Sequence, residues 1–295
     1  NWPHECVFLV SHYKGAVPFI LVALFLIGLA VPSYSWTRKN VKEIETFYNS
    51  KLSPIIMIPG SSATENRFDG LVRKLNQDRR GTKHSLLKVK VWNNGRITFE
   101  GKIKDKDNEP VIVIGFENNK DGYSNIKKQA KMMNQAFEAL QNKYKFNNFK
   151  GVGHSNGGLI YTAFIENYLS NYDVKINSLM TIGTPYNFTE TNIKNKSVML
   201  ADFIAAKENI PSTLHVYSVA GTITYDSDEL VPDASVSAGK YIYQNQAKSY
   251  TEITVTGEDA QHSDLPTNDE VVELIKQHIE EQGVRKKQKT NLEPQ

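Results

Sequence analysis

Hydrophobic and polar positions divide the chain into three stretches of different character. Residues 16–31 (AVPFILVALFLIGLAV) are uncharged and almost wholly apolar, and residues 32–52 are mostly polar. From residue 53 onward, short apolar runs alternate with longer segments of helical periodicity. Ile55 to Ile58 and Val111 to Ile114 are compact runs, as expected of strands buried on both faces. Phe149 to Val152 is a third such strand. Leu86 to Trp92 alternates and is followed by Asn93-Asn94-Gly95, a strong hairpin turn, with Ile97, Phe99 and Ile103 beyond it. Tyr123, Ile126, Ala130, Met133, Phe137, Leu140 and Tyr144 recur at spacings of three and four, which predicts a helix with a core-facing stripe. Further strands are expected at Ser178–Ile182, Leu214–Val219 and Tyr250–Val255. Ala220–Gly239 reads as a long loop, and the last helix carries Val271, Val272, Ile275 and Ile279. Strands separated by helices predict an α/β fold, with a mostly parallel central sheet and helices on both faces. Residues 186–212, with Met199, Leu200, Phe203 and Ile204 on one amphipathic helix, are expected to form a small cap.

An apolar fraction of 40% with 23% charged residues is enough for one large globular domain. The net charge of +3 is small, and much of the basic excess lies in Arg285-Lys286-Lys287-Gln288-Lys289. No basic stripe interleaved with aromatic residues points to nucleic acid. The lone Cys6 allows neither an intramolecular disulfide nor a cysteine-based metal site. No metal-ligand spacing and no phosphate-cradling loop are apparent, so no cofactor is expected. Sixteen apolar residues are short for a membrane span, which needs about 20, and fit a signal-peptide core or a short anchor. The expected division is a signal peptide or N-terminal membrane anchor at 1–31, a linker at 32–52, the α/β domain at 53–282 and a basic tail at 283–295. The protein is accordingly expected to be exported, either secreted or held at the cell surface.

Chemistry enters at Gly153-His154-Ser155-Asn156-Gly157-Gly158. This stretch has the form G-x-S-x-G and lies between a predicted strand and a predicted helix that carries Leu159, Ile160, Ala163, Phe164 and Tyr168. A strand turning sharply into a helix lifts the serine hydroxyl clear of the sheet, and the flanking glycines admit the close strand–helix approach. A serine hydroxyl needs a base, most often an imidazole. In an open parallel sheet that base should follow a strand's carboxyl end, downstream of the elbow. Of seven histidines, two precede the domain, His84 precedes the elbow and His154 lies inside it; His215 is within a strand and His278 on the last helix. His262, on the loop Gly257–Pro266, is the candidate base. Asp226, Asp228, Glu229 and Asp233 all qualify by position as the acid that orients it. The backbone N–H groups of Asn156 and Ser61 are the candidate oxyanion donors.

Gly-His-Ser-Asn-Gly-Gly, the Ile-Pro-Gly-Ser ending at Ser61 and the Ile-Gly-Thr-Pro ending at Pro185 resemble the α/β-hydrolase superfamily over residues 52–282. More narrowly, the chain resembles a family of exported or membrane-anchored α/β-hydrolases of unknown function from Gram-positive bacteria. In that family a Ser-Asp-Gly-x-Val-Pro loop carries the acid. The resemblance therefore implies Asp228 within Ser227-Asp228-Glu229-Leu230-Val231-Pro232, with Glu229 in place of the usual glycine, and it implies His262 as the base. Lipases of the superfamily often carry His after Gly-Thr-Pro and His-Gly at the oxyanion loop; here Tyr186 and Pro59-Gly60 stand there. The expected activity is that of a serine hydrolase, acting on a small-molecule or lipid-like ester through an acyl-enzyme. A non-catalytic surface binding module on the same scaffold and an acyltransferase are the competing classes.

Overall fold

The structure, a computed structural model, describes residues 5–77, 79, 81–223 and 226–280. The predicted tail 283–295, with its basic cluster, lies outside the described residues. Residues 1–50 and 51–295 form separate compact units. In the first, helix α1 runs Glu5–Tyr48, through Pro18 and Pro32, and its apolar residues from Phe19 to Val31 are exposed. Among the described residues it is the one helix long and apolar enough to cross a bilayer. The stretch 32–52 expected as a linker is therefore helical as far as Tyr48; polar composition does not break a helix that its neighbours continue.

The second unit is built on an eight-stranded sheet. In chain order it contains β1 (Ile55–Ile58), α2 (Asp69–Gln77), β2 (Leu86–Val91), β3 (Ile97–Gly101), β4 (Val111–Phe116), α3 (Tyr123–Tyr144), β5 (Asn148–His154) and α4 (Asn156–Asn167). There follow β6 (Lys175–Ile182), α5 (Val198–Ala206), β7 (His215–Thr222), α6 (Asp233–Ser237), α7 (Lys240–Tyr243), β8 (Ser249–Thr256) and α8 (Asp269–His278). The strand order is β3-β2-β4-β1-β5-β6-β7-β8. All neighbours are parallel except β2 and β3, the predicted hairpin, whose Gly95 has φ 82°. The predicted loop 220–239 is shorter than expected, because β7 extends to Thr222 and α6 begins at Asp233.

Continuous apolar strands are explained by the two cores they feed. Successive residues of a strand point to opposite faces. Thus Ile56, Ile58, Ile112 and Ile114 enter a core with α3 and α4, while Ile55, Met57, Val111 and Val113 enter the other, with α2 and α8. The predicted stripe of α3 is buried from Ile126 to Leu140. In the cap segment, α5 packs on α4 and α7, and Tyr123 on α3 donates to Asp202 Oδ2 at 2.8 Å.

Candidate active site

One residue, Ser155, separates β5 from α4, so the chain reverses direction within a single turn. Its backbone sits at φ 55°, ψ −129°, a region disfavoured for residues with a side chain and typical of strained functional positions. The turn is held by Ser155 N–H donating to Ile182 O at 2.8 Å, and by Thr184 Oγ1 donating to Ser155 O at 3.1 Å. The glycines allow it to form: a Cβ on Gly157 would lie 2.0 Å from Ile58 O on the neighbouring strand. Helix α4 thereby packs directly on β1. The loop after β1 also comes close, since a Cβ on Gly60 would lie 2.7 Å from Ser155 Cβ and 3.2 Å from Ser155 Oγ.

The β7–α6 and β8–α8 loops meet beside this turn. His262 Nδ1–H donates to Asp228 Oδ2 at 2.6 Å, and His262 N–H donates to Asp228 O at 3.0 Å. Asp228 is 1% exposed, and its other oxygen, Oδ1, accepts the N–H groups of Val231 at 2.7 Å and Leu230 at 3.1 Å. Both carboxylate oxygens are thus engaged, and the bond to Nδ1 leaves Nε2 as the ring nitrogen able to take a proton. Of the four candidate acids the structure brings Asp228 to His262, whereas Asp226 and Glu229 are exposed and Asp233 starts α6. Glu229 has φ 75°, the left-handed conformation that glycine adopts without strain.

Ser155 and His262 line one cleft of about 530 Å3, together with Gly60, Ser61, Arg67 and Leu230 among others. Ser62 N–H donates to Asn119 O at 2.7 Å, and Ala63 N–H to Gly60 O at 3.4 Å. Neither Ser61 N–H nor Asn156 N–H donates a hydrogen bond among the described residues. The Asn156 side chain is engaged elsewhere, donating to Asp121 Oδ1 at 2.6 Å. No residue of the cap segment 186–212 lines this cleft. Tyr186, which stands where lipases often have His, is fully buried with its ring edge-on to Tyr243.

His154 has a role that its place inside the motif concealed. Its Nε2–H donates to His262 O at 2.9 Å, and the two rings lie 5.0 Å apart. Burial, with the nearby His262 and Arg67 charges, holds His154 well below the ordinary histidine range. It is thus a neutral imidazole that clamps the main chain of the 257–266 loop. Arg67 Nη2 similarly donates to Ser263 O. Neither role carries a sequence signal, because both partners are backbone carbonyls some 100 to 200 residues away.

A family model described as alpha/beta hydrolase of unknown function (DUF915) matches residues 42–282. A proposed cell surface hydrolase from Lactobacillus plantarum has a crystal structure that aligns at 50% identity and a TM-score of 0.71, covering 77% of this chain and 91% of that one. The crystal structure of a gene product from Listeria innocua aligns at 30% identity and a TM-score of 0.70, covering 76% and 92%. No curated protein matches the chain. The protein belongs to this family of alpha/beta hydrolases.

Proposed function

We propose that this family member is a serine hydrolase that cleaves esters through an acyl-enzyme. Ser155 Oγ attacks the carbonyl carbon, and His262 Nε2 takes its proton. Asp228 keeps His262 in the required tautomer and stabilises the imidazolium that forms. The N–H groups of Asn156 and Ser61 receive the charge that develops on the carbonyl oxygen. His262 then protonates the leaving alcohol and activates the water that releases the acid. Thioesters and amides are within reach of the same residues. The observation that carries this reading is the 2.6 Å Asp228–His262 bond on a cleft shared with Ser155. Purified protein is expected to react with a fluorophosphonate probe and to hydrolyse p-nitrophenyl acetate, and Ser155→Ala to lose both. Undiminished turnover by that variant would overturn the assignment.

We place the hydrolase unit outside the cytoplasm, tethered by α1. The exposed apolar face of this helix from Phe19 to Val31, followed by Tyr34, Trp36, Arg38 and Lys39, has the order of a span with interfacial anchors. The Lactobacillus relative is described as a cell surface protein, in keeping with this location. Recovery of the intact chain in the membrane fraction, digestible by protease added to whole cells, is the expected result; a wholly cytosolic chain would refute it.

A further inference from the structure

We propose that Arg67 is a specificity-determining residue of the Ser155 cleft, and that the cleft takes esters bearing a carboxylate or phosphate group. This rests on the esterase reading above. Of the twelve residues lining the cleft, Ser61, Ser62, Thr64 and Asn66 bring hydroxyls and an amide, and Ala63 and Leu230 bring apolar side chains. Within it Arg67 is the one residue that carries a fixed charge.

Among the described residues that charge has no ion-pair partner. A guanidinium offers five N–H donors in a planar fork, and among the described residues the one partner of Arg67 is the carbonyl of Ser263. Asp264 is the acid whose field it feels, yet that residue is exposed and forms no ion pair with it. Two lysines on this side of the sheet are neutralised: Lys88 by Asp69 at 2.9 Å and Lys90 by Glu65 at 3.5 Å. Partial burial makes the Arg67 cation costly, which lowers it from the ordinary arginine range. An unpaired, half-desolvated fork beside hydroxyl groups is suited to bidentate capture of a carboxylate or phosphate. Its field already reaches the elbow, where it helps to hold His154 neutral.

The competing role is a clamp on the 257–266 loop through Ser263 O, and the test separates the two. The full chain carrying Ser155→Ala is titrated by calorimetry, so that no turnover is needed. One pair of ligands is monoethyl succinate and diethyl succinate; the other is 2-acetoxyethyl phosphate and its neutral parent, 2-acetoxyethanol. In at least one pair the anionic ester is expected to bind about tenfold or more tightly, the effect of one charge-assisted hydrogen bond, and which pair shows it identifies the anionic group. Adding Arg67→Gln should abolish the preference, and Arg67→Lys should restore part of it. Equal binding within both pairs overturns the proposal. So does an Arg67→Gln change that weakens anionic and neutral ligands by the same factor, which is the signature of the clamp. Failure of Ser155 to take the fluorophosphonate in the wild-type chain would strike the esterase reading instead and leave the binding result standing.

Discussion

The two ends of the central sheet both gather buried ionisable side chains, and they treat them in opposite ways. At the amino end Glu109 accepts from Lys150 at 2.7 Å and from Arg79 at 3.0 Å, while Glu280 accepts from Arg79 at 2.7 Å and from His84 at 2.9 Å. His84 Nδ1–H also donates to Glu109 O. His84, Glu109 and Glu280 have the spacing of a cation site, but each carboxylate oxygen already holds an N–H donor. At the carboxyl end, by contrast, among the described residues His154 Nδ1 is buried without a partner and Arg67 lacks a counter-ion. Ser61 N–H and Asn156 N–H donate no bond among the described residues. Saturated polar groups hold a structure together; unsaturated ones beside a cleft are left for a ligand.

The sharpest way to break this contrast is to disable one group at each end. Asp228→Asn should lower kcat for p-nitrophenyl acetate by about a thousandfold to ten-thousandfold, because the amide favours the wrong His262 tautomer. Its unfolding midpoint in urea should move little. Glu109→Gln should do the reverse: it takes the carboxylate away from the nearly buried Lys150 and from Arg79, and should cost about 3–5 kcal/mol in urea unfolding. Ester hydrolysis per folded molecule should be unchanged. If Glu109→Gln removed activity and left stability intact, the division of labour between the ends would be wrong.

Glu166 on α4 sharpens the comparison, being a buried carboxyl that pairs with no cation among the described residues. Its Oε1 has no partner, and burial pushes its pKa up to about 9 from 4.5. Folded chains therefore hold a proton that unfolded chains release between these two values. Stability from this group is complete below pH 4.5 and falls as the pH rises toward 9, by on the order of 3 kcal/mol at pH 7. Glu166→Gln should flatten the decline in urea stability between pH 5 and pH 8; an unchanged slope would contradict the assignment. The smallest expected effect is at Glu229, where glycine should relieve a left-handed backbone and raise stability by up to about 1 kcal/mol.

Much of this architecture was legible in the sequence, because local pattern and tertiary role agree. Ile55–Ile58 and Val111–Ile114 read as strands since both their faces are apolar, and α3 since its stripe faces one core. Ser155 and His262 could be nominated from the positions where chain reversal and a loop after a strand are required. The acid could not: Asp226, Asp228, Glu229 and Asp233 are equivalent by position, and what distinguishes Asp228 is tertiary, its bond to His262 Nδ1 and the backbone donors of Leu230 and Val231. Lys150 interrupts an apolar strand because its partner, Glu109, comes from another part of the chain. Helices α6 and α7, of five and four residues, are too short to carry periodicity. The start of β6 at Lys175 escaped because Lys175 and Asn177 are polar and the pairing with β5 is irregular between Phe149 and Gly151.

The main-chain tethers on His262 bear on how such a site can diversify. Its N–H is fixed by Asp228 O and its carbonyl by His154, so the ring is located by backbone bonds as well as by the Asp228 carboxylate. Neighbours such as Glu258, Ser263 and Asp264 are exposed on the same loop. They are free to drift over evolutionary time without dislodging the imidazole, so the rim of the cleft can change its chemistry while the placement of the His262 ring is inherited intact.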